Sequence, residues 1–147
     1  MEKKTLSIYD LMIGDIVIAE EYYLDEDTDE EVYNDHPFKI EGVSKSDSIY
    51  IDGEECRYEG NWMDGCQCET VGDIYPMPLT KEILEANGIR YQYGSPWWQK
   101  AYPYGNTDKF EVHINEVTTV IVEYVHELQH ALRLCGLREM ADNFKIE

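Results

Sequence analysis

Pro76 and Pro78, one residue apart, constrain this chain more than any other pair of residues. Each proline pushes the residue before it out of the helical region, so Pro76 to Leu79 reads as an extended link. The chain before the link is patterned as strands, and the chain after it starts as a helix. Thr80 supplies an N-cap, Lys81 to Asn87 the helix, and Glu82 a negative charge in the first turn. Gly88 can take the left-handed position that ends the helix, and Ile89 can pack back onto it.

Upstream, Gly14-Asp15 is a turn signal and Ile16-Val17-Ile18 a β-branched strand core. Small β-barrels open in this way. Asp25 to Glu31 is almost wholly acidic and reads as an exposed, self-repelling loop. It lacks the glycine and terminal glutamate that a calcium loop needs at fixed spacing. Phe38 to Val43 alternates apolar and polar residues, as a half-buried strand does. Ser48 to Asp52 predicts a second short strand, closed by the hairpin-type turn Asp52-Gly53. Glu54 to Gly72 reads as turns with one or two short strands.

Downstream, Ile89 to Tyr104 is crowded with aromatics and predicts a hairpin. Lys109 to Ile114 alternates, with Phe110, Val112 and Ile114 on one face. Thr118 to Val122 is either a last strand or the entry to the final helix. That helix runs from Glu123 to Cys135 and stops at Gly136. The tail holds a short helical turn at best, then Phe144-Lys145-Ile146. The pattern predicts a single α+β domain. Residues 8–75 form a small antiparallel, SH3-like barrel; residues 76–147 add a short helix, a β-hairpin and a packed C-terminal helix.

Composition narrows the function classes. A chain of 147 residues can bury a real core. With 31 acidic against 12 basic residues, the formal charge is −19. Such a surface repels nucleic acid and anionic membranes, and it suits a basic protein partner. Asp10 and Asp15 interrupt the first apolar stretch, so no signal peptide is read, and no run is long enough to span a membrane. The expected compartment is the cytoplasm, where the four cysteines stay as thiols. Cys56, Cys66 and Cys68 match no standard metal-ligand spacing.

The one enzyme-like signature is His126-Glu127-Leu128-Gln129-His130. Two imidazoles four residues apart on a helix can reach one zinc ion, and the glutamate between them can act as general base. His126 and His130 are thus the candidate metal ligands and Glu127 the candidate catalytic residue. Three features weigh against the site. Arg133 and Gly136 stand where a downstream glycine and third histidine would be needed. Glu139 and Asp142 come too soon after His130 to offer a distant ligand. Finally, Tyr124, Val125, Leu128, Leu132 and Cys135 form the apolar stripe, which puts both histidines on the opposite, solvent face. A late motif with an earlier cysteine ligand resembles the layout of peptide deformylases, with Cys66 or Cys68 in the cysteine role. That family's glycine-rich glutamine motif is absent.

Three segments together resemble a group of small uncharacterised proteins from gut Bacteroidales, their phages and mobile elements. They are Leu11-Met12-Ile13-Gly14-Asp15 with Ile16-Val17; Pro76 to Leu84 through Gly88; and Tyr124 to Gln129 with Ala131, Leu132 and Gly136. In that group the last helix often carries Gln and Asn where this chain has Glu127 and His130. The resemblance implies a structural helix and no particular activity.

The favoured reading is a non-catalytic accessory or interaction domain, associated with a mobile element and needing no cofactor. Its contact surface would be acidic and aromatic, with Trp97, Trp98, Tyr102 and Tyr104 as its rings. The first alternative is a zinc-dependent hydrolase built on His126, Glu127 and His130. The second is an acidic mimic of DNA, or an inhibitor of a basic protein.

Overall fold

The computed structural model describes residues 5–6, 10–51, 54–67, 71–91 and 99–147, with only the backbone path described over 43–51 and 54–57. The chain divides into two compact units, Met1–Met77 and Pro78–Glu147, so the boundary falls inside the proline link. The α+β class holds: each unit has a four-stranded sheet, and among the described residues the α-helices come after the link.

Unit 1 contains β1 (Ile16–Leu24), β2 (Glu31–Ile51), β3 (Glu54–Trp62) and β4 (Val71–Tyr75). Their order across the sheet is β3-β2-β1-β4, and all pairings are antiparallel. β3 and β4 are the outer strands, and among the described residues no pairing between them closes a barrel. The Gly14-Asp15 turn forms as expected. Gly14 takes a φ of 94°, and the buried Asp15 accepts the Met12 N–H at 2.8 Å. The core face carries Val17, Ala19, Phe38, Ile40, Tyr58 and Ile74, with the ring of Trp62 4.9 Å from that of Phe38.

Two readings of this half change. Phe38–Val43 and Ser48–Ile51 are parts of one continuous strand, because β1 supports its first half and β3 its second. The polar gap between them coincides with a register shift against β3 between Lys45 and Tyr50. The expected turn at Asp52-Gly53 lies outside the described residues. Within Glu54–Gly72, where one or two short strands were expected, Glu54–Trp62 is a single nine-residue strand. Its glycine and charges mark it as an edge strand, which alternation alone does not reveal.

Unit 2 contains α1 (Lys81–Ala86), β5 (Arg90–Tyr91), β6 (Lys100–Pro103), β7 (Phe110–His113), β8 (Thr119–Val122), α2 (Val125–Leu134) and α3 (Arg138–Asp142). The caps of α1 are those read from sequence. Thr80 Oγ1 accepts the Ile83 N–H at 3.2 Å. Gly88 has a φ of 77°, and Ile89 N–H bonds back to the Leu84 carbonyl at 3.0 Å. Thr119–Val122 is a strand, paired with β7. The aromatic segment is not a hairpin with β5, because β5 and β6 run parallel. The hairpins are β6–β7 and β7–β8. Gly136, at a φ of 80°, ends α2, and Phe144 is buried beyond α3. Among the described residues, no helix is long and apolar enough to cross a membrane.

Candidate functional site

The His126–His130 helix forms, but its face differs from the sequence expectation. Val125, Leu128 and Leu132 are buried as the stripe requires, while His126 is only 7% exposed and Gln129 fully buried. Gln129 donates to the Ala141 carbonyl at 3.0 Å, so α3 packs on a side that a lone-helix projection assigns to solvent. The His126 ring stacks on Tyr124, with centroids 6.1 Å apart and planes 15° apart. His130 stands edge-on to His126 at 5.6 Å. The apolar stripe therefore widens when neighbouring elements cover its flanks.

Glu127 has a specific local task. Its Oε1 accepts the backbone N–H groups of Glu123 and Tyr124, each at 3.0 Å. These are donors at the helix start with no partner inside the helix. The glutamate is the side-chain half of a capping box, placed where the helix dipole favours negative charge. The two imidazoles remain close to each other. Among the described residues, however, the group of three metal-ligating side chains lies elsewhere, in unit 1, and does not include them.

Of the aromatic surface residues, Trp97 and Trp98 lie outside the described residues. Tyr104 is 44% exposed. Tyr102 is half-buried and tied into the sheet by a 2.5 Å hydrogen bond with His113 Nε2. The same nitrogen is 3.0 Å from Glu111 Oε2. Hydrogen bonds from His113 and then Tyr102 hold the Glu111 carboxyl below its ordinary value.

Among the described residues, exposed rings also stand in unit 1, on both faces of the β1–β2 hairpin tip. Tyr23, Leu24 and Tyr33 are 44%, 57% and 53% exposed. Tyr22 and Tyr33 sit directly opposite in the register, with ring centroids 5.2 Å apart. The acidic run is the turn joining the two strands. Asp25 organises it, accepting the N–H groups of Asp27 at 2.8 Å and Thr28 at 3.3 Å. Asp29 takes a φ of 57°, a conformation that Asp tolerates better than most residues. The stretch expected to be a repelled loop is thus a formed turn. Self-repulsion is offset by local hydrogen bonds and by the strands it closes.

Lower on the same hairpin is a cluster that sequence reading missed. Glu21 pairs with Asn34, and Ala19 with His36, so Glu21 and His36 are diagonal neighbours on one face. It is the face on which Val17, Ala19 and Phe38 build the core, at the point where the apolar residues run out. Gly65, at a φ of 84°, turns the chain after β3 and brings Asp64 and Cys66 onto this face. His36 Nε2 lies 2.9 Å from Glu21 Oε1, and its Nδ1 lies 2.6 Å from Asp64 Oδ2. The Cys66 thiol donates to Glu21 Oε2 at 3.0 Å, and Asn34 Nδ2 donates to Glu21 Oε1 at 3.0 Å. Trp62 presents its ring to that of His36 at 5.7 Å, with planes 79° apart.

The electrostatics arise from these bonds. Carboxylates on both ring nitrogens favour the imidazolium form of His36. The hydrogen bond to Asp64, then that to Glu21, raises its pKa. Cys66 and then His36 hold Glu21 below its ordinary range. Burial pushes Asp64 up, but the bonds from His36 and the Cys66 N–H outweigh it and leave Asp64 lowered. The Cys66 thiol donates to a carboxylate, which favours its protonated form. The arrangement can act as a salt-bridged lock between strands and loop, or as a set of ligands.

No protein-family model, curated protein or solved structure matches the chain.

Proposed function

We propose that this chain is a non-catalytic accessory or protein-interaction domain that engages a basic protein through the tip of the β1–β2 hairpin. The observation carrying this reading is the coincidence of exposed rings and charge at that tip. Tyr23, Leu24 and Tyr33 are exposed beside Asp25, Glu26, Asp27, Asp29, Glu30 and Glu31. Arginine and lysine side chains suit such a surface, because their stems cover apolar area and their charged ends meet both carboxylates and ring faces. The net charge would steer a basic partner toward it. Inhibition of a basic, DNA-binding protein is a special case of this reading.

The resemblance of three segments to small proteins of mobile elements supports reading the domain as an accessory protein of such an element. The reading also takes unit 1 as an SH3-like sheet, curled by the register irregularities at Ile40/Gly42 and Ala19/Glu21. The zinc-hydrolase alternative on His126, Glu127 and His130 is not adopted, because Glu127 is committed to capping the helix.

The test uses a synthetic Arg/Lys-rich peptide titrated into the full chain by calorimetry. Affinity is expected to fall steeply as salt shortens the screening length to less than about 10 Å. Tyr23→Ala/Tyr33→Ala retains every charge and should weaken binding at least ~5-fold, about 1 kcal/mol, in the range expected for cation–π contacts. Unchanged binding in that variant would show that charge alone attracts the peptide, and the hairpin reading would fail.

A further inference from the structure

We infer that Glu21, His36 and Cys66 form a binding site for a single divalent transition-metal ion of the zinc type. Three donors of three chemical kinds converge there from β1, β2 and the loop after β3. One carboxylate oxygen, one imidazole nitrogen and the thiol sulfur lie within 4.8 Å of one another. The side chains of Glu21 and His36 are 15% and 24% exposed, so the site is sheltered yet open to entry.

The dimensions suit a tetrahedral ion. Zinc–ligand lengths of about 2.0–2.3 Å place neighbouring ligand atoms roughly 3.3–3.6 Å apart. The present Nε2–Oε1 and Sγ–Oε2 separations are 2.9 and 3.0 Å, set by hydrogen bonds that the metal would replace. These two contacts run to different oxygens of Glu21, and no two of the three ligand atoms are more than 4.8 Å apart, so side-chain adjustments of about 1 Å bring them to tetrahedral spacing. Two protons leave, one from Sγ and one from Nε2, and one dication enters. The charge of the cluster is conserved. Water would complete a fourth position.

The surroundings fit the same role. Asp64 holds Nδ1 of His36 at 2.6 Å, which orients the ring and leaves Nε2 as the metal-facing nitrogen. A carboxylate on the far nitrogen of a ligating histidine is a recurrent feature of zinc sites. Asn34 holds Glu21 Oε1, and the Cys66 N–H bonds to Asp64 Oδ1 at 3.3 Å. The sulfur and nitrogen donors select zinc or a similar ion over calcium and magnesium, which take oxygen ligands. This site is independent of the hairpin-tip reading above.

Cobalt(II) is the probe, titrated into the reduced, tag-free full chain. One equivalent should bind, with a thiolate-to-cobalt charge-transfer absorption and the intense visible bands of tetrahedral cobalt. Zinc should displace it and raise the melting temperature. Cys66→Ser should abolish the charge-transfer band, and His36→Ala should weaken binding at least ~10-fold. Asp64→Asn should weaken it by about 10–100-fold while keeping the band, as for other second-layer carboxylates. His126→Ala/His130→Ala should bind as the parent does. The inference is overturned if the parent shows no thiolate band at saturating cobalt. It is equally overturned if the band survives Cys66→Ser, or if the His126/His130 variant loses binding. Circular dichroism of each metal-free variant checks folding. Should Cys66→Ser prove unfolded, Glu21→Gln must weaken binding at least ~10-fold, and full affinity in that variant would sink the site.

Discussion

Replacing Glu127 separates its capping role from a catalytic one. Its carboxylate accepts two backbone N–H groups at the start of α2, both at 3.0 Å and both at the protein surface. Loss of a cap costs about 1 kcal/mol, and loss of a charge at a helix N-terminus roughly 0.3–1 kcal/mol. Water replaces exposed hydrogen bonds, which holds the sum near the lower end. Glu127→Ala should therefore destabilise the protein by about 1–1.5 kcal/mol. Glu127→Gln keeps an acceptor oxygen and should lose only about 0.5 kcal/mol. At roughly 2–4 °C per kcal/mol for a chain of this length, the alanine variant should melt about 2–6 °C lower. Thermal and urea unfolding by circular dichroism read both variants. A residue placed for chemistry is commonly neutral or stabilising to remove, because function and stability trade off there. An alanine variant as stable as the parent would refute the capping argument. So would a glutamine variant that falls as far as alanine, since the acceptor atom would then not matter.

Three more outcomes rest on the packing and the charges. Phe38 is 1% exposed and lies against Trp62, so Phe38→Ala should cost about 3–5 kcal/mol in urea unfolding, as buried Phe truncations do. A Cβ at Gly60 would collide with the Lys39 carbonyl and stand 2.9 Å from the Phe38 ring; Gly60→Ala should lose about 1–3 kcal/mol, whereas Gly65→Ala meets no neighbouring atom and carries only the cost of its positive φ. The Glu111 carboxyl titrates below its ordinary 4.5 because His113 and Tyr102 bond to its charged form. A lowered folded-state pKa contributes stability that is present above the unfolded value and lost as pH falls through the folded one. Urea midpoints should thus decline below about pH 4.5, and the decline should be shallower in Glu111→Gln.

Local signals carried the helices well. Thr80, Glu82 and Gly88 bound α1 to within a residue, because caps act over three or four positions. Gly136 ended α2 for the same reason. The strand half was harder to read. β2 looked like two strands because its polar middle interrupts the alternation, while pairing with β3 before and after that gap keeps the backbone extended. β3 looked irregular because an edge strand needs little apolar alternation.

The candidate sites divide along the same line. His126, Glu127 and His130 were visible as letters on one helix, and so was their common placement on it. Which of them would be buried was not visible, because α3 and Tyr124 cover flanks that a lone helix leaves open. The Glu21–His36–Asp64–Cys66 cluster was invisible, since its bonds join residues 15, 28 and 45 positions apart. A positive-φ glycine and a cross-strand diagonal bring them together.

The sequence by itself determined the α+β class, the proline link between the halves, the caps of α1 and the acidic charge of the chain. These depend on backbone sterics, neighbours a few residues apart, or simple sums. The tertiary structure alone decided which histidines are buried, where the exposed rings stand beside the acidic turn, and which ligand-bearing side chains meet. These depend on strand register and loop path, where a slip of one residue would turn Glu21 and His36 to the other face of the sheet.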